Sequence, residues 1–444
     1  MKTFPVQTAL TMVTVAVLLA VAPMAFPRLR GPRLSDLAAL AEFTPASTPF
    51  SPLVAHVPEP LLPAPRLNLH LKTPAAVSLF EDSGGALDRF YQSLWLTEKR
   101  QAITRIVHFG DSPTTADLIT GDVRAMLQSR FGDAGHGFIF IAKPWAWYQH
   151  RGAEPSGSKW QMIAASHFEV RDGLYGLGGV SFNGSAASRS RIVFQEPQSR
   201  FELYFLRQPG GAAVTITAPG QPPVRIETQG EAKSAGFAAF EFPVGASRLE
   251  LQPEGAVRLF GLTAERPGPG VVYDSLGLNG ASVTVLSRIF NQQHLAEELR
   301  HRDPNLVIVN YGTNEADFAA FVDRQYEKEL REAIRRIRSA VPQASILVMS
   351  PMDRGHRTGL GEIQTMDTIP RIVAIQKRVA RETGCGFFDT FDAMGGEGTM
   401  ARWYAAKPRL VSADLIHPYP AAGKEIAALF VREIIGGLVR FKAR

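Results

Sequence analysis

A strand, a tight turn and a helix in immediate succession leave a chain few folds to choose from. This 444-residue sequence shows that succession near residue 110 and again beyond residue 300. Ile103 to Phe109 is a short apolar strand, and Gly110-Asp111-Ser112 breaks it. Ala116 to Arg130 then reads as a helix, with Leu118, Val123, Leu127 and Phe131 spaced by about one helical turn. Far downstream, Leu306 to Tyr311 is a buried-type strand that ends in Gly312-Thr313-Asn314-Glu315. An amphipathic helix over roughly Phe318 to Ala340 follows. After it come strands at Ser345 to Ser350 and Gly386 to Asp389, with helices at Arg371 to Glu382 and Ala421 to Val439. Apolar strands alternating with helices predict an α/β fold, a parallel sheet covered on both faces. Ligand sites in such sheets lie at the carboxyl ends of the strands.

Between these halves the texture changes. Residues 151–270 are rich in glycine and proline and poor in helical periods. Phe201 to Leu206, Ala213 to Thr217, Val224 to Thr228, Phe237 to Phe242, Arg248 to Leu251 and Arg258 to Leu262 look like strands. Turn-forming residues such as Pro209-Gly210-Gly211 separate most of them. Short strands at this spacing predict a β-sandwich or jelly roll. The expected layout is an α/β domain in two parts, 81–150 and 271–444, with a β domain at 151–270 inserted between them. The competing reading is a set of long decorations on one domain.

The N-terminal 80 residues read differently. Ala9 to Phe26 is almost unbroken apolar sequence, about 27 Å long as a helix, so 1–27 is a signal peptide or a membrane anchor. Pro23 after Ala20-Val21-Ala22 favours an uncleaved anchor, whereas Arg28, Arg30 and Arg33 would hold this flank in the cytoplasm. Residues 28–80 form a proline-rich linker, with eight prolines from Pro45 to Pro74. The expectation is an exported, periplasmic protein tethered to the inner membrane. A single cysteine, Cys385, excludes an intrachain disulfide and a cysteine-based zinc cluster. The formal charge of +6 is spread over 48 basic and 42 acidic residues. It reads as a basic soluble surface rather than a nucleic-acid site.

Four short motifs carry the chemistry. Ser112 sits on the turn after a strand and before a helix, where a hydroxyl projects and its own backbone N–H faces a developing oxyanion. Asp414-Leu415-Ile416-His417 lies just before the closing helix. A serine hydroxyl needs a base, the imidazole supplies it, and an aspartate three residues earlier can reach the ring and fix its tautomer. Asn314 can donate its side-chain amide to an oxyanion, an effect worth about 3 kcal/mol. Gly280, with Gly277 as the alternative, can bring a backbone N–H close to substrate.

In this order, Gly-Asp-Ser, then glycine, then Gly-x-Asn, then Asp-x-x-His, the motifs resemble the SGNH (GDSL-like) hydrolase superfamily over about 81–150 and 271–444. The resemblance implies a flavodoxin-like three-layer α/β/α domain. It also implies Ser112 as nucleophile, His417 as base, Asp414 as its orienting acid, and an oxyanion hole made by Ser112, Gly280 and Asn314. Glu315 stands where many members have aspartate. A narrower resemblance, carried by His108 to Asp117, Phe131 to Phe138 and Val272 to Ala281, is to periplasmic peptidoglycan O-acetylesterases with an inserted carbohydrate-binding-module-like β domain. Pro113 stands where histidine is common in that group.

The implied activity is that of a serine esterase that removes O-acetyl groups from an acetylated cell-wall polysaccharide through an acyl-serine. An O-acetyltransferase, lipase or thioesterase with the same triad, or a non-catalytic carbohydrate-binding or envelope-biogenesis protein, are the alternatives. No cofactor and no metal are expected: His294, His301, His136 and His356 lack HExxH-type spacing. Gly176 to Gly179 reads as a loop. Arg331, Arg335, Arg336 and Arg338 with Glu327, Glu329 and Glu332 read as helical ion pairs. Oligomeric state does not follow from the sequence.

Overall fold

The computed structural model describes residues 79–167 and 171–444. The expected anchor at 1–27 and all but the last two residues of the expected linker at 28–80 lie outside the described residues.

Five parallel strands form the main sheet: β1 Ile103–Gly110, β2 Gly270–Gly277, β3 Leu306–Asn310, β4 Ser345–Met349 and β5 Gly386–Phe388. Their spatial order is β2-β1-β3-β4-β5, and the two-residue strand Phe80–Glu81 pairs antiparallel on β5. The order reverses between β1 and β2 on one side and β1 and β3 on the other. The carboxyl ends of those three strands therefore bound the crevice where such sheets bind ligands.

Alternate residues of each strand face opposite layers. Ile106, Tyr273, Leu306, Ile308 and Phe388 point to one side, where they meet α1 (Asp88–Glu98), α2 (Thr120–Phe131) and α6 (Pro420–Lys442) through Phe90, Leu94, Val123, Leu127, Ile426 and Phe430. Val107, Phe109, Val307, Val309, Ile346 and Phe387 point to the other. There α3 (Gln292–Arg302), α4 (Tyr326–Ala340) and α5 (Thr368–Glu382) cover them with Leu299, Ile334, Ile337, Ile372 and Val379. This is the three-layer α/β/α arrangement. The expected helix from Phe318 to Ala340 is in fact two, Ala319–Arg324 and α4, because Gln325 between them leaves the helical region (φ −130°). The break lets Tyr326 enter the core, where its hydroxyl meets Gln376 Nε2 at 2.7 Å.

A second, nine-stranded sheet is made wholly from residues between β1 and β2. It starts earlier than the sequence suggests: Gly135–Ile139 pairs with Val257–Glu265 inside this sheet. Pairing is continuous because two strands are unusually long. Arg189–Arg207 and Ser234–Pro253 run side by side and take different partners along their two halves. Their ladder shifts register between Glu241 and Arg248, where Pro197 of one strand faces Gly245 of the other. Proline and glycine there remove a ladder donor and permit a bulge.

The two sheets share one apolar core. Phe138, Tyr204, Leu259 and Leu262 belong to the same buried cluster as Leu299, Val307 and Ile337. A buried charge network reinforces the junction. Arg302 at the end of α3 donates to Asp274 of β2 (2.6 Å) and to Glu265 of the second sheet (2.7 Å), and Asp274 also accepts from the Phe138 amide at 2.7 Å. The glycine loop at 176–179 is fastened to α3 as well: the Gly176 and Leu177 amides donate to His294 Nε2 (3.2 Å) and Glu298 (3.1 Å). His301 pairs with Glu202 at 2.8 Å and stacks on Phe237 with ring centres 3.7 Å apart. The basic stretch of α4 pairs along its own surface, Arg331 with Glu327 and both Arg335 and Arg336 with Glu332.

Candidate active site

The buried strand β1 ends where Gly110, Asp111 and Ser112 turn into a one-turn helix, Ser112–Thr115. The Thr115 amide closes that turn on the Asp111 carbonyl at 3.0 Å. Pro113 fits its first turn because the missing N–H is not needed there. The turn is clamped against β2. Gly277 lies opposite Gly110 in the parallel register, and a Cβ on Gly277 would stand 2.0 Å from the Thr115 nitrogen. Only glycine permits this approach, so Gly277 serves packing. Gly280, three residues on, is exposed and holds φ +68°, a left-handed conformation that glycine adopts without strain.

Ser112 is 8 % exposed, and its Oγ is 2.6 Å from His417 Nε2. His417 Nδ1 is 2.7 Å from Asp414 Oδ2. With the carboxylate accepting from Nδ1–H, Nε2 is left as the acceptor for the serine hydroxyl. Asp414 Oδ1 meanwhile accepts from the Ile416 and His417 amides (2.9 and 3.1 Å) and from the Ser412 hydroxyl. Partial burial pushes the Asp414 carboxyl up, but these hydrogen bonds and that of His417 outweigh it and hold it at about 2. The carboxylate is thus charged at any ordinary pH.

Asn314 follows β3, and its Nδ2 donates to the Ala281 carbonyl at 2.8 Å, so the asparagine and glycine motifs meet. The Leu278 amide donates to the Gly110 carbonyl at 2.9 Å and ties the glycine motif to the serine turn. All five residues singled out in the sequence, Ser112, Gly280, Asn314, Asp414 and His417, therefore lie on turns and loops at the carboxyl ends of β1, β2 and β3 and on the loop before α6.

Other residues of the site had no sequence signal of their own, although two stood inside the motifs. Glu315 is buried and accepts from the Val283 amide (2.7 Å) and the Gly312 amide (3.0 Å), so it fastens the asparagine turn to the glycine turn. Burial pushes its carboxyl up to about 7, against the pull of those amides. Asp111 is also buried, and burial pushes it up to about 6 in spite of a hydrogen bond from Thr313 and the nearby His417 and Arg354. Arg354 donates to the Thr313 carbonyl and grips both Asp317 oxygens at 2.7 and 2.8 Å. Among the described residues no cluster of histidine, cysteine, aspartate or glutamate could hold a metal ion. The arrangement can activate a hydroxyl, orient the base and present N–H donors beside it, which is the equipment of acyl transfer.

Residues 246–423 match the family model for the GDSL-like lipase/acylhydrolase family. No curated protein matches the chain. A solved peptidoglycan O-acetylesterase structure has the same fold with a TM-score of 0.70, covering 82 % of this chain and 100 % of that one at 23 % identity. Similarity extends, at TM-scores of 0.28 and 0.27, to an acetyl xylan esterase (15 % identity, 37 % of this chain and 80 % of that one) and to a family two carbohydrate esterase from Clostridium thermocellum (13 % identity, 63 % and 99 %).

Proposed function

We infer that this carboxylic ester hydrolase, built on a GDSL-like domain, removes O-acetyl groups from a cell-wall polysaccharide, peptidoglycan first among them. The observation that carries the reading is the pair of short hydrogen bonds, 2.6 and 2.7 Å, that links Ser112 through His417 to Asp414. The peptidoglycan O-acetylesterase of like fold supports the choice of polymer.

In this mechanism His417 Nε2 takes the Ser112 proton as Oγ attacks the acetyl carbonyl, and Asp414 stabilises the imidazolium that results. The Ser112 and Gly280 amides and the Asn314 side chain receive the oxyanion. His417 returns the proton to the departing sugar oxygen, leaving an acetyl-serine. Water, deprotonated by the same imidazole, attacks that ester; acetate leaves and Ser112 regains its proton. We read the second sheet as an inserted sandwich whose two halves are joined by the long strands. A wall polymer is met outside the cytoplasm, and the apolar segment at Ala9 to Phe26 supports placing the enzyme there, tethered to the membrane.

Acetate release from O-acetylated peptidoglycan, acetylated xylan and a long-chain acyl ester tests this reading. Peptidoglycan is expected to give the highest kcat/KM, and Ser112→Ala to lower it by about 10⁴-fold or more. Unchanged turnover in Ser112→Ala would remove the triad, and a preference for the acyl ester would remove the polymer.

A further inference from the structure

The second sheet reaches the catalytic rim in two places. The loop before its strand Ala153–Ser158 lies along the serine turn, with the Gln149 amide donating to the Thr115 carbonyl at 3.2 Å. The loop after its strand Gln161–Ala164 reaches Gly280: a methyl group at Gly280 would sit 3.6 Å from His167 Cε1 and 3.8 Å from its Nε2. That leaves the His167 ring one van der Waals layer from the peptide to which the oxyanion donor is assigned. His167 is exposed, yet its ring is oriented, since Ser166 Oγ lies 2.8 Å from Nδ1. With the hydroxyl donating there, Nε2 carries the proton and is free to donate. The half-buried indole of Trp145 lies beside it, ring centres 6.3 Å apart. An exposed, oriented donor beside a half-buried indole, the two rings tilted by 44°, is suited to a sugar, whose ring has apolar C–H faces and a polar edge.

We propose that Trp145 and His167 form a subsite for the pyranose ring that bears the ester, so that the second sheet supplies part of the substrate-binding surface. Trp145 takes a face of the sugar, and His167 Nε2 donates to a ring hydroxyl or an acetamido carbonyl. The proposal rests on the esterase reading above and deepens it: the substrate is recognised as a sugar at the ring that carries the acetate.

The test compares Trp145→Ala, His167→Ala and His167→Gln on O-acetylated muropeptides and on p-nitrophenyl acetate. Both alanine variants are expected to lower the ratio of kcat/KM for the muropeptide to that for the nitrophenyl ester by about tenfold or more, mainly through KM, because a lost stacking face or hydrogen bond weakens binding rather than chemistry. His167→Gln, which keeps a donor, is expected to recover part of the loss. An unchanged ratio, or a parallel fall on both substrates, overturns the subsite and leaves the esterase reading intact. A wild-type enzyme that cleaves the nitrophenyl ester but no acetylated sugar overturns both.

Discussion

Asp111 and Glu315 are carboxyl groups kept in a dry place beside Ser112, and burial raises both. Glu315 matters more for shape, because its two oxygens hold the Val283 and Gly312 amides at once. Its carboxyl titrates near pH 7 in the folded protein and near 4.5 in the unfolded chain. The folded state therefore keeps a proton that the unfolded chain has lost, so this contribution to stability is full below pH 4.5 and disappears as pH rises through 7. Glutamine does not titrate and turns an N–H₂ toward one of the two amides. Glu315→Gln is therefore expected to melt lower than the wild type, by a margin that narrows from pH 4.5 to pH 7. Thermal melts across that range check it, and a pH-independent margin would contradict the raised carboxyl.

At the scale of elements, the end of β2 does the positioning. It lies in register with β1, and Gly277 lets the serine turn rest on its backbone. The atom that a side chain at 277 would strike is backbone nitrogen, which cannot rotate away. Gly277→Ala is expected to cost about 2 kcal/mol or more and to lower kcat by displacing Ser112. Urea unfolding and nitrophenyl-ester kinetics measure the two effects, and a wild-type kcat would show that the turn can move without harm. β1, β3, β4 and β5 were legible because each carries a short apolar run that ends in glycine or a polar turn, whereas β2 has Asp274 and Ser275 in its middle and was not legible as a strand. The break at Gln325 was not legible: glutamine is an ordinary helix former, the apolar residues Phe321, Val322, Tyr326 and Leu330 keep helical spacing past it, and only Tyr326's place in the core reveals it. Strand 135–139 was missed for a related reason. Gly135-His136-Gly137 reads as a turn, and only its partner 257–265 makes it a strand.

For the whole molecule, the sequence revealed the interruption of one α/β unit by β structure but not the depth of the junction. Asp274 lay in a motif quoted only for its likeness, and nothing in Val272 to Ser275 indicates that it meets Arg302 and the Phe138 amide. Such tertiary partners have no sequence spacing. The shared core and this buried network predict that the two sheets unfold as a single cooperative unit. Calorimetry of the folded protein is expected to show one transition for residues 79–444, and Asp274→Ala to destabilise it by about 3–5 kcal/mol, because it leaves the Arg302 guanidinium, already tied to Glu265, without its buried partner. Two separate transitions would show that the sheets melt independently. Candidate-site residues were easier to foresee than their supports, since the chemistry of a triad restricts residue type while the holding of a loop does not.

The hydrogen bond between Ser112 and His417 joins positions 305 residues apart. During synthesis the serine turn and the last parallel strand in sequence, Gly386–Phe388, both leave the ribosome before the histidine does. A nascent chain can therefore have every strand of its sheet present while Ser112 still lacks its histidine partner. The Ser112–His417 contact forms only after the strands of both sheets have been made, once the loop before α6 emerges.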